Sequence, residues 1–322
     1  MLIWLVLIPL IAAALIGLCK APARPTALLS ASLTLALGIW ALVSFDGCSS
    51  CWSRFEGMDL QLTLAPALSK VMLLLTILVT FATVLGTNPP QGGEASWYNS
   101  ALLISAGATG AFLSDNIISF FAFHELALIP TFVMIGLYGR GDRRTTAWRA
   151  TLYLGLASMV LLAALLMIGT QAGFTFSGLK DFMASGRELA HAELIGALLI
   201  AGFGTLISLF PFHSWAAPAY ASAPAPVAMM HAGVLKKFGL YGLFMFQPLM
   251  ETGFLPWTNI LLVLLVCNVI WVGYVTVNQK RLDLLLGNSS VMHMGYIFLA
   301  FAALVVSGSA EANPWALKGA AL

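Results

Sequence analysis

The sequence predicts an all-α, polytopic membrane protein with about ten transmembrane helices. Of its 322 residues, 60% are hydrophobic and only 9% are charged. A soluble core of this size cannot bury so much apolar surface. Apolar runs of roughly 17 to 25 residues, each long enough to cross a bilayer as a helix, follow one another along the chain. The first run lacks a basic region before it, so we interpret it as a retained helix and not as a signal peptide.

The apolar runs define the order of the expected helices. They lie near residues 1–18, 26–45, 65–86, 98–113, 116–139, 150–170, 194–211, 224–246, 258–277 and 284–306. A further run begins at the C-terminal end. The net charge of +2, without a long basic run, excludes nucleic acid as an expected partner.

Lysine and arginine are distributed unevenly between alternate loops, which predicts the orientation of the chain. One set of loops holds Lys20, Arg24, Arg140, Arg143, Arg144, Arg149, Lys280 and Arg281. The other set holds Arg54, Lys180 and Arg187. The richer set is therefore expected in the cytoplasm, with the N-terminus outside.

Two cysteines lie in the outer loop that follows the second predicted helix. Cys48 and Cys51 form the sequence CSSC, and an oxidising compartment would permit a disulfide between them. Two cysteines alone do not complete a zinc site. A local disulfide or an incidental pair are both compatible with this spacing.

Ionisable side chains occur inside three of the apolar runs. Lys70 lies near the outer end of its helix, where its long side chain reaches the interface. Glu125 lies about ten residues into its segment, too deep for a carboxylate to reach water, and Pro130 frees a nearby carbonyl. Lys236 and Lys237 lie in the middle of another run. Such groups usually mark ion pathways, and a static buried ion pair is the alternative.

The spacing of the two lysines does not show which of them acts. Adjacent residues point about 100° apart around a helix, so one helix face does not take both ammonium groups. Small residues flank both faces, which lets neighbouring helices approach either one. Desolvation and nearby charges shift the pKa values of such groups, so that they can exchange protons near neutral pH.

Four histidines in or beside the apolar runs are further candidates. His231 lies six residues before Lys237 and joins Glu125 and the two lysines as a candidate for proton transfer. His124, His213 and His293 are candidates for a relay or for support. The alternative for each is a hydrogen-bonded histidine inside a packed helix. No pair of them has the spacing of a helical metal site.

A proline-rich stretch interrupts the helices between the seventh and eighth runs, around residues 208–226. Prolines occupy positions 211, 218, 224 and 226. Broken backbone at membrane depth persists only where protein buries it or where it lines a cavity, and interrupted helices build many ion sites in transporters.

Three motifs in this order resemble the antiporter-like membrane subunits of respiratory complex I. They are FHELALIPTFVMIGLYG, LFPFHSWAAPAYASAPAPVAMMHAGVLKKFGLYG and LGNSSVMHMGYIFLAFA, and they span roughly residues 100–305. The most similar members are of the subunit M type of NADH-quinone oxidoreductase. Related chains occur in membrane-bound hydrogenases and in multisubunit Na⁺/H⁺ antiporters.

The resemblance implies a proton-translocating subunit built from two inverted repeats of five helices. The family's glutamate in the fifth helix falls on Glu125, and its lysine in the eighth helix falls on Lys237. Residues 1–97 are then three N-terminal helices with the CxxC loop, and residues 98–246 are the first five-helix repeat. Residues 247–322 begin a second repeat that is expected to be incomplete in this sequence.

The chain also departs from the family pattern. The family's lysine in the seventh helix is replaced by Leu206, so the expected partner of Glu125 is missing. The Asp, His and Glu of the loop that follows correspond to Pro218, Tyr220 and Ser222. Lys236, Lys237 or His231 are the candidates to substitute for the missing lysine.

The expected function is proton translocation in a multisubunit NADH:quinone oxidoreductase of the bacterial inner membrane. The sequence holds no redox motif of its own, so NADH, flavin, iron-sulfur clusters and quinone are expected on partner subunits. The expected partners are other membrane subunits and the lipid bilayer. A scaffold subunit that does not pump and a subunit of a cation/proton antiporter are the alternatives.

Overall fold

The chain folds mainly into helices, and the computed structural model describes residues 1–44, 49–55, 58–90 and 92–306. The helices are α1 Ile3–Gly17, α2 Ala23–Ser44, α3 Ala67–Gly86, α4 Glu94–Leu113, α5 Ile117–Tyr138, α6 Arg143–Ala172, α7 Phe176–Ala184, α8 Ala192–Leu206, α9 Ala216–Ser222, α10 Ala225–Met230, α11 Lys237–Met245, α12 Thr258–Cys267, α13 Gly273–Val277 and α14 Leu282–Val306. Two strands, β1 Ser49–Phe55 and β2 Met58–Thr63, separate α2 from α3.

Short π-helical and 3₁₀ segments interrupt the second half of the chain. The π-helical segments are His231–Leu235, Met250–Phe254 and Asn268–Val272, and the 3₁₀ turns are Gln247–Leu249 and Leu255–Trp257. Segments with π-helical hydrogen bonding are rare and occur often at functional sites.

Six helical stretches in the described part of the chain are long and apolar enough to cross a membrane. They are Ala23–Ser44, Ala67–Gly86, Ile117–Tyr138, Arg143–Ala172, Gln247–Val277 and Leu282–Val306. The count of about ten crossings is therefore not confirmed. The apolar helices α1 and α8 have 15 residues each, about 22 Å of helix, and the predicted helix at 224–246 is divided into three segments.

The all-α prediction is wrong in one place, the connection between α2 and α3. There β1 and β2 pair antiparallel, from Ser49 opposite Thr63 to Phe55 opposite Met58. The β2 strand also pairs with the junction between α4 and α5, where the amide of Asp115 donates to the carbonyl of Gln61 over 2.9 Å. Strands this short escape a search for long apolar runs, because the loop as a whole is polar.

The chain divides into two compact units. The first unit contains Met1–Gly139 and Ala223–Leu235. The second unit contains Arg140–Ser222 and the described residues from Lys236 onward. The three-part division expected from the sequence rests on the repeats that the resemblance implies, and it remains a prediction.

Small residues let the helices of the first unit pack closely. A Cβ atom on Gly107 of α4 would lie 2.6 Å from the carbonyl oxygen of Phe123 in α5, so only glycine permits this approach. At the start of α5, the Asn116 side chain accepts hydrogen bonds from the amides of Ile118 and Ser119 over 2.9 and 3.0 Å. The helix then continues through Pro130 to Tyr138.

The second unit contains the predicted interruption in the helices. Helix α8 ends at Leu206, and the next helix, α9, begins only at Ala216. The freed backbone groups find partners nearby: the Trp215 indole donates to the carbonyl of Thr205 over 3.2 Å. The amide of Phe210 donates to the side-chain oxygen of Asn268 over 3.1 Å. Broken backbone is thus stabilised by burial in protein, as a membrane interior requires.

Helices α9 and α14 touch backbone to backbone inside the second unit. A Cβ atom on Gly287 would lie 2.9 Å from the Cα atom of Ala217 and 3.0 Å from its carbonyl oxygen. Such a distance excludes every side chain, so glycine fixes how close the two helices lie. This contact sets the positions of the residues that follow it on both helices.

Candidate functional site

A buried lysine is the centre of a polar cluster in the second unit. The Lys236 side chain is only 1% exposed. Its Nζ atom lies 3.4 Å from the Ser290 hydroxyl and 5.4 Å from the centre of the Tyr220 ring. The side chains of Tyr220 and Ser290 are also hydrogen-bonded to each other. We call these three residues the Lys236 cluster.

Three separate stretches of the chain supply the Lys236 cluster. Tyr220 belongs to α9 and Ser290 to α14, each three residues beyond the contact between Ala217 and Gly287. Residues three apart lie on the same face of a helix, so both side chains extend from the face where the helices touch. Lys236 immediately precedes α11. The close approach of α9 and α14 therefore brings the two hydroxyl groups together beside the lysine.

The Lys236 cluster has the chemistry of a short proton-transfer chain. An ammonium group donates hydrogen bonds, and a hydroxyl group both donates and accepts. Ser290 contacts both other members, so it connects the amine to the phenol. The Tyr220 ring also stabilises a cation near its face. The cluster can thus hold a proton on Lys236 and pass it through hydroxyl groups.

Lys237 has a different environment from its neighbour. It is the first residue of α11, and its side chain is partly exposed, whereas that of Lys236 is buried. The sequence left open which lysine lies in the protein interior, and the resemblance pointed to Lys237. The structure identifies Lys236 as the more deeply buried of the two.

Glu125 lies beside His124 on α5 in the first unit. The Nδ1 atom of His124 is 3.3 Å from Oε1 of Glu125, and the side chains are 1% and 30% exposed, respectively. The His124 ring stacks on Phe120, with ring centres 6.4 Å apart and planes inclined by 18°. Stacking on Phe120 therefore fixes the position of the His124 ring, which is one partner of the Glu125 carboxylate.

His231 is buried in the first unit, with 4% of its surface exposed. It begins the π-helical segment His231–Leu235, which packs against α3 and α5. The histidine proposed as a proton carrier thus lies inside the protein, on a segment with irregular helical hydrogen bonding.

The other two candidate histidines belong to the second unit. His213 lies in the non-helical stretch before α9, and its ring stacks on Phe210 with centres 5.4 Å apart. His293 lies on an exposed face of α14, where its Nδ1 atom is 2.7 Å from the carbonyl oxygen of Ser289. Neither is a member of the Lys236 cluster.

Sequence reasoning missed Tyr220 and Ser290 as members of a site. Tyr220 was noted only as a replacement for the family's histidine, and Ser290 only as part of the NSS triplet. Polarity was the available signal for both residues. Ser290 belongs to the polar triplet NSS, which interrupts an apolar helix. Tyr220 occupies a position where the family has a protonatable histidine. The distance of 70 residues between them in the chain concealed their contact.

Two other expectations concern sulfur and metal chemistry. Cys48 lies outside the residues that the structure describes, so its predicted disulfide with Cys51 of β1 remains a prediction. Across the described ranges, His, Cys, Asp and Glu side chains form no group of three or more that could hold a metal ion.

The comparison with sequences gives a family and several relatives. The family described as "NADH:quinone oxidoreductase/Mrp antiporter, TM" matches residues 114–313. The NAD(P)H-quinone oxidoreductase chain 4 2 of Microcystis aeruginosa is 32% identical over 248 residues, covering 75% of this chain and 44% of the relative. Chain 4-2 of Synechocystis is 30% identical over 242 residues, covering 75% and 43%. The chain therefore spans about half the length of the curated relatives that it matches.

Solved structures show the same fold. A chain of respiratory complex I from Thermus thermophilus with bound NADH superposes with a TM-score of 0.82 at 25% identity, covering 100% of this chain and 68% of the other. A chain of the Mrp complex from Dietzia superposes with a TM-score of 0.82 at 20% identity, covering 99% and 35%. The resemblance predicted from the three motifs is confirmed. This chain belongs to the NADH:quinone oxidoreductase/Mrp antiporter family of transmembrane subunits.

Proposed function

We propose that this chain is a proton-translocating membrane subunit of a complex I-like NAD(P)H-quinone oxidoreductase. The observation that carries the proposal is the Lys236 cluster. A lysine 1% exposed lies 3.4 Å from the Ser290 hydroxyl of α14, a helix apolar enough to span a membrane, and faces the Tyr220 ring. An ionisable residue within a membrane is costly, and its usual explanation is an ion pathway.

Lys236 is the principal proton carrier of the second unit in this proposal. It substitutes for the lysine that the family has at the position of Leu206. Leu206 is itself a buried residue at the end of α8, with 4% exposure. The phenol of Tyr220 and the hydroxyl of Ser290 extend the route by hydrogen-bonded proton transfer.

Glu125 and Lys237 keep the roles that the resemblance assigns to them, as acid and base of the transfer route. His124 supports this proposal for Glu125, because its ring nitrogen lies within 3.3 Å of the carboxylate. His231 is a further carrier, buried on its π-helical segment. His213 and His293 have supporting roles.

The proposal places redox chemistry on other subunits. Electrons would pass from NADH through flavin and iron-sulfur clusters to quinone on partner chains. Changes in the ionisation of buried groups would couple that reaction to proton transfer. The assembly would lie in the bacterial inner membrane, with the N-terminus of this chain outside.

The first test replaces the buried lysine in the intact complex. Lys236→Met is expected to lower NADH-driven proton uptake into proteoliposomes by a factor of about 10², a typical contribution of one proton-transfer group. Lys180→Met is the matched control, because Lys180 lies exposed on α7. The amount of assembled complex is measured for both variants.

Comparing proton uptake with the amount of assembled complex separates a role of Lys236 in proton transfer from a role in packing. A fully assembled Lys236→Met complex with unchanged proton uptake would contradict the proposal for Lys236. Lys237→Met, tested in parallel, shows whether the partly exposed lysine contributes independently. If only Lys237→Met lowers proton uptake, the position indicated by the resemblance carries the proton.

A non-pumping scaffold subunit is the first alternative, favoured by Leu206 in place of the family's lysine. It predicts that Lys236→Met and Glu125→Gln both leave proton uptake unchanged while deletion of the chain prevents assembly. A cation/proton antiporter subunit is the second alternative, because the family includes antiporters. Na⁺-dependent proton movement without any electron donor would favour it.

A further inference from the structure

A cavity lies in the second unit, and none of the three members of the Lys236 cluster lines it. Its volume is about 170 Å³, many times the roughly 10 to 15 Å³ of cavity that one water molecule requires. Three segments form its walls: the connection from α5 into α6, helix α9, and the start of α14. The wall residues include two arginines and one carboxylate, Arg140, Arg281 and Asp142, together with Ser222 and Leu284. We call it the Arg140–Arg281 cavity.

Two guanidinium groups give the cavity its charge. Arg281 is held by Asp283, with nitrogen to oxygen distances of 3.1 and 2.6 Å. Its side chain is 66% exposed and that of Asp283 is 41% exposed. In the described part of the chain the Arg140 guanidinium has no side-chain partner. Arg140 therefore has its full hydrogen-bonding capacity available to a ligand in the cavity.

The surrounding loops add positive charge. The residues from Arg140 to Arg149 and from Lys280 to Asp283 contain basic side chains at positions 140, 143, 144, 149, 280 and 281 and carboxylates at 142 and 283. One carboxylate, Asp142, accepts the amide of Thr145 at the start of α6 over 3.3 Å. The net charge around the cavity is thus positive and favours an anion.

The Arg140 loop is fixed to α9 by two backbone contacts. The Arg140 amide donates to the Ser222 carbonyl over 2.7 Å, and the Ser222 hydroxyl donates to the Arg140 carbonyl over 2.8 Å. The arginine therefore projects from an anchored position at the cavity wall. Because the backbone of Arg140 is already fixed, binding an anion has to order only its side chain.

Exposed apolar side chains on α6 and α14, the helices that supply the cavity residues Thr146 and Leu284, favour a lipid over a soluble anion. Leu282 and Leu286 of α14 are 71% and 60% exposed. Trp148 and Leu152 of α6 are 60% and 59% exposed. Exposed leucines on a membrane helix contact acyl chains, and tryptophan is typical of the headgroup level. A headgroup in the cavity would thus have apolar surface beside it for its own tails.

We propose that the Arg140–Arg281 cavity binds the phosphate group of an anionic phospholipid. Arginine binds phosphate through two parallel hydrogen bonds, which gives both affinity and orientation. Basic pockets between transmembrane helices bind anionic headgroups for this reason. The site is independent of the proton-transfer proposal, because none of its basic residues belongs to the Lys236 cluster.

Native mass spectrometry of the delipidated complex tests this site. Phosphatidylglycerol is added, with phosphatidylcholine as the zwitterionic comparison. Arg140→Gln is expected to weaken retention of phosphatidylglycerol about tenfold, the loss of one charge-assisted interaction. Arg144→Gln is the matched control, since it removes the same charge four residues further along the chain, in the first turn of α6, where Arg144 does not line the cavity.

A second variant changes affinity in the opposite direction. Asp283→Asn removes the carboxylate that occupies Arg281, so phosphatidylglycerol is expected to be retained more strongly than in the unmodified complex. The variant keeps a side-chain oxygen that accepts the amide of Leu284, which maintains the start of α14. Asp283→Asn therefore tests the proposal even if the Arg140→Gln and Arg144→Gln complexes assemble poorly.

Three results would overturn the proposal. Equal losses in Arg140→Gln and Arg144→Gln would show attraction to the whole basic surface and no defined site. Equal retention of phosphatidylcholine and phosphatidylglycerol would exclude recognition of the anionic headgroup. Displacement of phosphatidylglycerol by inorganic phosphate at the same concentration would identify a site for a soluble anion.

Discussion

Glu125 and Lys236 are both ionisable residues within apolar runs of the sequence, but their surroundings are built in different ways. Glu125 lies on α5, a continuous helix of 22 residues, and its histidine partner is the preceding residue. The partners of Lys236 come from α9 and α14, 16 and 54 residues away in sequence. The contact between Glu125 and His124 is thus local, whereas the contacts of the Lys236 cluster depend on tertiary structure.

This difference predicts how each group responds to mutation. A local pair persists as long as its helix forms. The Lys236 cluster needs α9 and α14 in contact and needs the broken stretch before α9 to keep its course. Residues that hold those segments are therefore expected to affect Lys236 without touching it, whereas α5 is expected to be insensitive to them.

Among the changes that test this comparison, replacing Asn268 is expected to cause the largest loss in the free energy of unfolding. Asn268 is fully buried; its side chain accepts from the Phe210 amide over 3.1 Å and donates to the Val291 carbonyl over 3.3 Å. Asn268→Leu would leave the Phe210 amide unpaired and would remove the second hydrogen bond to the Val291 carbonyl, which keeps its partner within α14. An unpaired buried amide costs about 1 to 3 kcal/mol and a lost hydrogen bond about 0.5 to 1.5 kcal/mol, so we expect a loss of about 1.5 to 4.5 kcal/mol in the free energy of unfolding. Denaturation of the detergent-solubilised chain measures it.

Asn278→Leu is the matched control for this prediction. Asn278 is exposed, and its side chain bonds only to the carbonyl of Tyr274 on the same helix. A loss below about 0.5 kcal/mol is expected, as for other surface substitutions. Equal losses in the two variants would contradict the role of Asn268 in holding the broken stretch.

Adding one methyl group at Gly287 is expected to cause the next largest loss of stability. In Gly287→Ala the Cβ atom would meet the Cα atom of Ala217 at 2.9 Å. Backbone cannot rotate away as a side chain does, so α9 must shift, at a cost of about 1 to 3 kcal/mol. Thermal unfolding of the purified chain measures the loss, and proton uptake reports whether the Lys236 cluster is disturbed.

Gly155→Ala provides the comparison for Gly287. Gly155 on α6 has open space where a Cβ atom would lie, and alanine is a better helix former than glycine. This variant is expected to be neutral or slightly stabilising. A neutral result for Gly287→Ala as well would mean that α9 and α14 are not held by this contact.

The fold class could largely be predicted because membrane helices leave a strong signal in hydropathy. The break near residues 208–226 could be predicted because proline lacks the amide that a helix needs. The hairpin of β1 and β2 could not, since its strands have 7 and 6 residues and lie in a polar loop. The count of about ten crossings is not confirmed, because some of the apolar runs correspond to short or divided helices in the described part of the chain.

The candidate site could be predicted only in part. Glu125 and the two lysines are conspicuous because charge is rare in apolar runs. The choice between Lys236 and Lys237 depends on which side of the chain meets α9 and α14, and sequence spacing carries no such information. Tyr220 and Ser290 became visible only when the close approach at Gly287 was known.

Removing the cap of α5 is expected to have a moderate effect that stays local. The Asn116 side chain accepts two amides at the start of the helix, and loss of such a cap costs about 0.5 to 2 kcal/mol. Asn116→Ala is therefore expected to lower thermal stability by that amount. Proton uptake by the Asn116→Ala complex should remain faster than proton uptake by the Gly287→Ala complex, because the Lys236 cluster is not disturbed. The reverse order would contradict the distinction between local and tertiary sites.

The smallest expected change in stability comes from Ser290, and it tests the chemistry of the Lys236 cluster most directly. Ser290→Ala removes one hydroxyl that contacts both Lys236 and Tyr220. Hydrogen bonds within membrane proteins are worth about 0.6 kcal/mol on average, so the fold is expected to tolerate the change. If the hydroxyl carries the proton, transfer should slow about three- to tenfold, equivalent to about 0.6 to 1.4 kcal/mol.

Ser289→Ala is the control that makes this small effect interpretable. Ser289 is the adjacent residue on α14, and its hydroxyl lies 3.3 Å from Nδ1 of His293, outside the Lys236 cluster. The two variants remove the same atom from neighbouring positions, so differences in packing and helix propensity largely cancel. Slower proton uptake in Ser290→Ala alone would indicate transfer through the hydroxyl beside Lys236. Equal rates in both variants would mean that Lys236 exchanges its proton by another route, although its burial would be unchanged.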